Sequence, residues 1–228
     1  MTPRRVLVTR PVREALRWAQ ALRQRGVDAH ALPLLGIEPL ADDSALREVR
    51  ARAGRFDAWM FVSAAAVEHF LEDGMQGPEG PRCWGTGPGT ASALRAAGIP
   101  EARIDVPGPS AGQFDSEALW QIVRPQVRPG SRVLFVRGGD ASGEPAGRDW
   151  LSRQVADAGA QDGTVWLFGS SQAIANLCTL LPAADWSGAL AVATHPRIAQ
   201  SATAAGFGRV ATALGRLDEL VASIESFQ

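Results

Sequence analysis

Hydroxyl and guanidinium side chains at the ends of short apolar segments are the residues of this sequence best placed to do chemistry. The hydroxyls belong to Ser63, Thr90, Ser170, Ser171 and Thr194. The guanidinium groups belong to Arg10, Arg137, Arg148 and Arg197. A hydroxyl at the start of a helix can cap that helix, and together with the free N–H groups it can bind a carboxylate. The pattern therefore predicts an anion-binding site, with helix capping as the alternative role of the serines.

Several other reaction types lack the side chains that they need. The sequence contains neither Lys nor Tyr, which excludes a lysine Schiff base, a P-loop lysine and a phenol acting as acid or base. The serines named above lie outside any G-x-S-x-G motif, so no serine nucleophile is predicted. Three isolated histidines, His30, His69 and His195, indicate no metal site. His195 is either a turn residue or a donor to the ligand.

The segment GTGPGT, residues 85–90, suggests a dinucleotide-binding turn at first sight. It follows an apolar segment, opens a helical pattern, and Asp105 lies 20 residues beyond Gly85. The dinucleotide fingerprint needs the spacing G-x-G-x-x-G, however, and position 90 is Thr. We therefore predict a tight turn that favours anions at a helix start, and keep a nucleotide-binding oxidoreductase as an alternative function.

The overall composition indicates a folded protein without a nucleic-acid, membrane or cofactor partner. Hydrophobic residues make up 46% of the 228 residues, which is enough for a full core, and the net charge of −1 offers no basic field for nucleic acid. The apolar stretches are too short to span a bilayer, and no secretory segment is recognised. Cys83 and Cys178 are far apart, so we expect a reduced, cytoplasmic protein.

An internal repeat organises the chain. Three kinds of segment each occur twice in the same order, at residues 5–29 and 132–160, 59–71 and 166–178, and 83–99 and 191–207. Each pairs a short apolar run with a helical pattern, which is typical of parallel α/β units. We therefore predict two related α/β halves. A glycine follows each of four helical patterns, where a left-handed cap is expected: Gly26, Gly98, Gly159 and Gly206.

The second copy of the repeat is shorter than the first. The distance from Gly26 to Phe61 is 35 residues, but the equivalent distance from Gly159 to Phe168 is only 9. Either a strand and a helix are deleted, or a loop is missing between Gln161 and Asp162. We expect a missing loop, because removing a strand from a parallel sheet would leave a buried edge unpaired.

The ordered set of segments resembles the uroporphyrinogen-III synthase family, the cyclising enzymes of haem biosynthesis. The resemblance is carried by VLVTRP, FDAWMFVSAAAV, WGTGPGTASAL, FDSEAL, VLFVRG, WLFGSSQAI and THPRIAQSA, which run nearly end to end. It implies a flavodoxin-like fold of two α/β domains with parallel sheets, the first of them discontinuous. The domains would comprise residues 1–36 with 162–228, and residues 37–161, joined by a two-stranded connector near 33–40 and 159–165.

The same resemblance implies a function. The substrate would be hydroxymethylbilane, a linear tetrapyrrole with acetate and propionate side chains, which is cyclised with inversion of ring D through a spiro intermediate. The protein would be a monomer that receives its substrate from hydroxymethylbilane synthase, and would bind it in a gap between the two domains. The expected contacts are Ser63, Thr90, Ser170, Ser171, Thr194 and Arg197, with Arg10 and Arg137 behind them. No catalytic acid is identified, and a non-catalytic module that binds anions or tetrapyrroles remains an alternative.

Overall fold

The computed structural model describes residues 5–37, 42–71, 79–108, 111–138, 159 and 163–227, which hold nine strands and eight helices. The strands are β1 Val6–Val8, β2 Ala29–Ala31, β3 Ala58–Phe61, β4 Arg82–Gly85, β5 Ile104–Asp105, β6 Val133–Val136, β7 Val165–Phe168, β8 Leu190–Ala193 and β9 Arg209–Thr212. The helices are α1 Val12–Arg23, α2 Ser44–Ala51, α3 Ala64–Phe70, α4 Pro88–Ala96, α5 Ser116–Val123, α6 Ser171–Leu180, α7 Pro196–Ala204 and α8 Leu217–Glu225.

The chain divides into two units. Unit 1 comprises residues 1–37 and 142–228, and unit 2 comprises residues 38–141. Each unit has its own sheet, and every strand pair in both sheets is parallel. Because β1 and β2 join β7, β8 and β9 in one sheet, the first domain is discontinuous. The predicted fold class, two related α/β domains with parallel sheets, is confirmed.

The sheet of unit 1 has five strands in the order β2-β1-β7-β8-β9. In unit 1's own numbering this is the order 2-1-3-4-5 of flavodoxin-like proteins. The three inner strands β1, β7 and β8 are short, fully apolar runs, because both faces of a parallel sheet are covered by helices. On α1, apolar residues recur at helical spacing at Ala15, Ala19 and Leu22, which pack with α8 on one face. Helices α6 and α7 cover the opposite face.

The sheet of unit 2 has four strands in the order β5-β4-β3-β6. Helices α3 and α4 cover one face, where Trp59 and Phe61 of β3 are buried. Helix α5 packs on the other face, where the cluster of buried residues is small: Ala58, Met60, Trp84, Leu119 and Val123. In the part of the chain that the structure describes, no strand pairs with the outer side of β6.

The position of β6 bears on the expected missing loop. That expectation assumes that β6 is an interior strand whose exposed edge would be buried. In the described sheet β6 is the edge strand instead, and Phe135 on it is 64% exposed. A deletion and a missing loop would both leave β6 at this edge, so the choice between them stays a prediction. Residues 161 and 162 themselves lie outside the described part of the chain.

The predicted boundary and connector near residues 159–165 fall partly on residues that are not described, and they stay a prediction. Gly159 lies in unit 1, where its carbonyl accepts a hydrogen bond of 3.1 Å from Trp166 Nε1. Val165 already begins β7 in the same unit. The division into units ends unit 2 at residue 141, and residues 139–158 lie outside the described part of the chain. On the other side, residues 32–37 form neither helix nor strand, and residues 38–41 are not described.

The predicted glycine caps are confirmed for three of the four positions. Gly26, Gly98 and Gly206 have φ values of 82°, 81° and 95°, which only glycine adopts without strain. Gly159 has no positive φ, so this prediction is wrong. Close packing explains a glycine there, because a Cβ on Gly159 would lie 3.0 Å from Cζ2 of Trp166 and 3.2 Å from Cδ1 of Leu7.

Candidate functional site

The loops after β1 and β7 diverge at the centre of the sheet of unit 1. The chain leaves β1 through α1 towards β2, and it leaves β7 through α6 towards β8 on the other face. Such a divergence opens a crevice at the carboxyl ends of the two strands, and open α/β sheets bind their ligands there. Arg10 follows β1, and Gly169 and Ser170 follow β7. These three residues therefore line the crevice of unit 1.

Unit 2 repeats only part of this arrangement. Its chain leaves β3 through α3 towards β4, as the chain of unit 1 leaves β7. Beyond β6, however, the described residues contain no strand towards which the chain could diverge. The equivalents of Arg10 and Ser170 are Arg137, which is exposed after β6, and Ser63, which begins α3. The crevice that the strand order defines is thus complete in unit 1 alone, as far as the chain is described.

Arg10 is held in the crevice by a stack of side chains on α1. Its Nη1 donates to Glu14 Oε2 at 2.8 Å, and its Cζ lies 5.1 Å from the ring centroid of Trp18. Its other contact is with the residue after β7: a Cβ on Gly169 would lie 3.0 Å from Cζ of Arg10. Of these residues, the sequence pattern indicated only Arg10, and not Glu14, Trp18 or Gly169. The spacing of four between 10, 14 and 18 was the available signal, because such residues share one face of a helix.

The serines after β7 occupy two different positions. Ser170 is the N-cap of α6, and its Oγ accepts the N–H of Gln172 at 3.1 Å. Ser171 is already the first residue of the helix, so the alternative role of capping does not apply to it. Its Oγ accepts a hydrogen bond of 2.9 Å from Ser201 on α7. This bond links the first turn of α6 to α7, a contact that the spacing in sequence did not reveal.

The turn after β8 positions the remaining candidates of unit 1. The N–H of Thr194 donates to the carbonyl of Phe168 at 3.0 Å, which ties this turn to the end of β7. His195 is the N-cap of α7, and its Nδ1 accepts the N–H of Arg197 at 3.1 Å. The turn role of His195 is therefore observed. Arg197 lies exposed in the first turn of α7.

In unit 2 the candidates are divided between the surface and the core. Ser63 caps α3, with its Oγ accepting the N–H of Ala66 at 3.1 Å. Thr90 is only 4% exposed within α4, and its Cγ2 would lie 3.0 Å from a Cβ on Gly85. Its methyl group therefore packs against the strand. The more exposed hydroxyl of this turn belongs to Thr86, which donates to the carbonyl of Val62 at 3.1 Å. Arg148 lies outside the described residues.

Asp105, which suggested a nucleotide-binding site, is bound by another side chain. Both carboxylate oxygens of Asp105 accept from Arg82, at 2.6 and 2.7 Å. These hydrogen bonds raise the pKa of Arg82 and keep Asp105 occupied by a partner. A carboxylate bound in this way is poorly suited to hold a ribose hydroxyl.

Within the described ranges, no three His, Cys, Asp or Glu side chains are grouped as metal ligands. None of the helices described here is both long enough and apolar enough to cross a bilayer. Both cysteines are free thiols. Burial raises the pKa of Cys83 to about 11, which keeps this thiol protonated and unreactive.

Strand order and site together define a class of protein: two flavodoxin-like α/β units that each present helix starts, hydroxyls and guanidinium groups at the carboxyl ends of their strands. The family model described as uroporphyrinogen-III synthase HemD matches residues 17–161, well over half of the chain. The chain belongs to the uroporphyrinogen-III synthase family. The family implies an enzyme of haem biosynthesis.

Solved structures that resemble the chain have the same description. A mutant uroporphyrinogen III synthase from the extremely thermophilic bacterium Thermus thermophilus is 14% identical, with a TM-score of 0.49 and coverage of 98% of both chains. The uroporphyrinogen-III synthetase of Helicobacter pylori 26695 is 13% identical, with a TM-score of 0.48, covering 99% of this chain and 100% of the other.

Proposed function

We propose that this protein is a uroporphyrinogen-III synthase that cyclises hydroxymethylbilane with inversion of ring D. The observation that carries the proposal is the family match over residues 17–161. The chemistry of the carboxyl edges agrees with it. Both units present hydroxyls and helix-start N–H groups there, with Arg10 in unit 1 and Arg137 in unit 2. Groups of this kind suit the carboxylates of a multiply anionic tetrapyrrole.

The proposed reaction proceeds by loss and formation of bonds within the substrate. Departure of the terminal hydroxyl, with a proton, as water leaves an electrophilic azafulvene. The substituted carbon of ring D attacks this electrophile and forms a spiro intermediate. Cleavage of the original bond to that carbon and reclosure at the free position then give the macrocycle with ring D inverted, and a ring proton is lost. The substrate closes by itself without inversion, so the protein must impose a folded conformation and stabilise developing charge.

We assign binding and orienting roles to the residues at the carboxyl edges. The proposed contacts are Ser63, Ser170, Ser171, Thr194, Arg197, Arg10 and Arg137. Thr90 remains in the proposal as a positioning residue, because its side chain is buried against β4. No general acid for the departure of the hydroxyl is assigned, and a carboxylate of the substrate itself can supply the proton. As parts of the same proposal, the enzyme is a cyclising lyase and a cytoplasmic monomer. It receives its substrate from hydroxymethylbilane synthase.

The decisive experiment supplies hydroxymethylbilane to the full chain and separates the isomers of the oxidised product. Isomer III formed faster than the spontaneous closure supports the proposal. Isomer I alone, at the rate measured without protein, would refute it. A titration with uroporphyrin I, run in parallel, identifies the alternative: binding without turnover would indicate a non-catalytic tetrapyrrole-binding module. A control with NAD(P) at millimolar concentration should leave the melting temperature unchanged, because Asp105 is already bound by Arg82.

A further inference from the structure

The side-chain stack of Arg10, Glu14 and Trp18 holds a positive charge in the crevice of unit 1. We call this place the switch point, because the connections after β1 and β7 diverge there to opposite faces of the sheet. Only 20% of the Arg10 side chain is exposed, and 29% of the Glu14 side chain. The guanidinium therefore sits mostly out of water, between the ring of Trp18 and the backbone of Gly169. A cation in such a place binds anions more strongly than a fully solvated one does, because less water competes.

Hydrogen bonding leaves this guanidinium incompletely satisfied. Nη1 is bound to Glu14, but Nε of Arg10 is buried and has no hydrogen-bond partner among the described residues. Nε1 of Trp18 is in the same state. A buried donor without an acceptor is costly, and native structures rarely keep one without a reason. An incoming ligand with an acceptor atom would therefore satisfy a donor of Arg10 that the protein leaves unpaired.

Glu14 is the competitor that such an acceptor must displace. It lies at the third position of α1, and the N-cap residue Pro11 offers that helix no side-chain hydrogen bond. A carboxylate in the first turn is favoured by the unpaired N–H groups of the helix start. Glu14 thus keeps a favourable environment when it releases Arg10, which makes exchange with a ligand carboxylate inexpensive.

Gly169 is what admits the guanidinium to this position. A Cβ there would lie 3.0, 3.1 and 3.2 Å from Cζ, Nε and Nη2 of Arg10. The equivalent residue after β3 in unit 2 is Val62, whose side chain is exposed. A valine at 169 would occupy the space that the guanidinium fills. The two units therefore cannot hold their arginines in the same way.

We propose that Arg10 binds one carboxylate of the tetrapyrrole at the switch point of unit 1, that Glu14 is the counterion which this carboxylate displaces, and that Gly169 makes the position available. This inference rests on the proposed function for the identity of the ligand. It adds a specific anion subsite, with an internal competitor that sets its affinity.

The test measures the affinity of uroporphyrin I, an octacarboxylate that is not turned over, for the full-length protein by porphyrin fluorescence. Arg10→Gln should weaken binding about tenfold, because a charge-assisted hydrogen bond is lost. Glu14→Gln should tighten binding several-fold, since the competing charge is gone. Gly169→Val should resemble Arg10→Gln, and adding it to Arg10→Gln should change nothing more. Val62→Ala is the matched control in unit 2 and should bind like the wild type.

The opposite signs expected for the Arg10 and Glu14 variants separate this subsite from a structural role, which would weaken binding in both. Melting curves of each variant check that it is folded. Unchanged affinity in Arg10→Gln, weaker binding in Glu14→Gln, or no binding of uroporphyrin I by the wild type would overturn the inference. The isomer assay on the wild type decides the proposed function separately. If the wild type makes isomer III but all variants bind uroporphyrin I equally well, the proposed function stands and the proposed subsite is refuted.

Discussion

The two units repeat one strand order and differ at one edge of their sheets. By position in the sheets, β1 corresponds to β6, β7 to β3, β8 to β4 and β9 to β5. Unit 1 adds β2 outside β1, whereas no described strand lies outside β6. As a result Val8 is completely buried, while Phe135 at the same position of the repeat is largely exposed. The difference teaches that a strand's apolar sequence does not fix its burial, because burial depends on the strand and helix that come next.

A second difference lies at the end of the helix that follows the last strand of each sheet. Leu220, Ile224 and Phe227 of unit 1 are buried under the sheet. The residues with the same spacing in unit 2 are Leu119, Val123 and Gln126. Phe227 is buried in unit 1, whereas Gln126 lines a shallow recess in unit 2. The apolar residue at this end of the sheet in unit 1 thus has a polar counterpart in unit 2.

The largest expected effect separates the cores of the two units through equivalent tryptophans. Trp166 contacts three other aromatic rings, at centroid distances of 5.4–6.3 Å to Trp186, Phe168 and Phe207. Its equivalent in unit 2, Trp59, contacts Phe70 at 5.9 Å. We expect Trp166→Ala to lower the free energy of unfolding by about 3–5 kcal/mol, and Trp59→Ala by less. Urea unfolding followed by far-ultraviolet circular dichroism measures both.

The matched control for these variants is the change to phenylalanine. Trp166→Phe keeps an aromatic ring and loses the hydrogen bond to the carbonyl of Gly159, and Trp59→Phe loses the bond to the carbonyl of Ala53. Both should cost less than the alanine variants. Equal losses for Trp166→Ala and Trp59→Ala would show that the larger ring cluster of unit 1 does not make its core more stable.

The next effect concerns alkaline pH and the buried thiol of unit 2. Burial raises the pKa of Cys83 from 9.0 to about 11, so the folded state holds this proton more tightly than the unfolded state. The corresponding stability is fully present below pH 9 and is lost as the pH rises through 11. We expect the free energy of unfolding to fall by about 2–3 kcal/mol over this range. The pH range from 9 to 11 suits this measurement, because the sequence has no Lys or Tyr side chains that would titrate in it.

Cysteine variants assign this pH dependence to one unit. Cys83→Ala should remove most of the fall between pH 9 and 11. Cys178→Ala in unit 1 is the control and should retain most of it, because Cys178 is partly exposed and burial raises its pKa less. A fall that persists undiminished in Cys83→Ala would show that the thiol of unit 2 is not its source.

A smaller effect is expected at the two serine caps, which occupy equivalent positions. Ser63→Ala and Ser170→Ala should each lower the free energy of unfolding by about 0.5–2 kcal/mol, because each removes an acceptor from a helix start. Asparagine at either position should restore the cap. If the isomer assay shows unchanged KM and kcat in the alanine variants, the serines act as caps only and leave the set of proposed substrate contacts.

The smallest effect is expected at the edge strand. Phe135→Thr should change the free energy of unfolding by no more than about 0.5 kcal/mol, because this side chain is largely exposed. Val8→Thr in unit 1 buries a hydroxyl in an apolar cluster and should cost about 1–3 kcal/mol. Thermal unfolding of both variants measures the contrast. A loss at Phe135 as large as that at Val8 would mean that a contact not included in the described residues covers β6.

Much of the fold could be predicted from the sequence because its signals are local. The continuous apolar runs VLV, WMF and VWLF indicate strands that are buried on both faces of a parallel sheet. Glycines such as Gly26 end helices by adopting a left-handed conformation that other residues avoid. The cap of α5 is equally local, because Asp115 directly precedes the helix and its Oδ1 accepts the N–H of Ala118 at 2.8 Å. The prediction failed at Gly159, where the outcome depends on close contacts with Trp166 and Leu7.

The candidate site was predictable in its residue types and less so in its geometry. Arg10 and Ser170 were identified because they follow apolar runs and so reach the carboxyl ends of strands. Their actual environments depend on contacts between distant segments, such as Arg10 against Gly169 and Ser171 against Ser201. Thr90 shows the same limit, since it follows the same kind of run but turns its methyl group into the core.

The sequence by itself determined the number of α/β units, their repeated order of strands and helices, and the kinds of polar group available for an anionic ligand. The spacing of the apolar residues indicates the units and their elements, and the absence of Lys and Tyr limits the polar groups. The tertiary structure alone decided which strand lies at an edge and which arginine is held out of water. Both depend on contacts between residues 75 or more positions apart, as in β3 with β6 and β1 with β7, and no local pattern records which pairs will form.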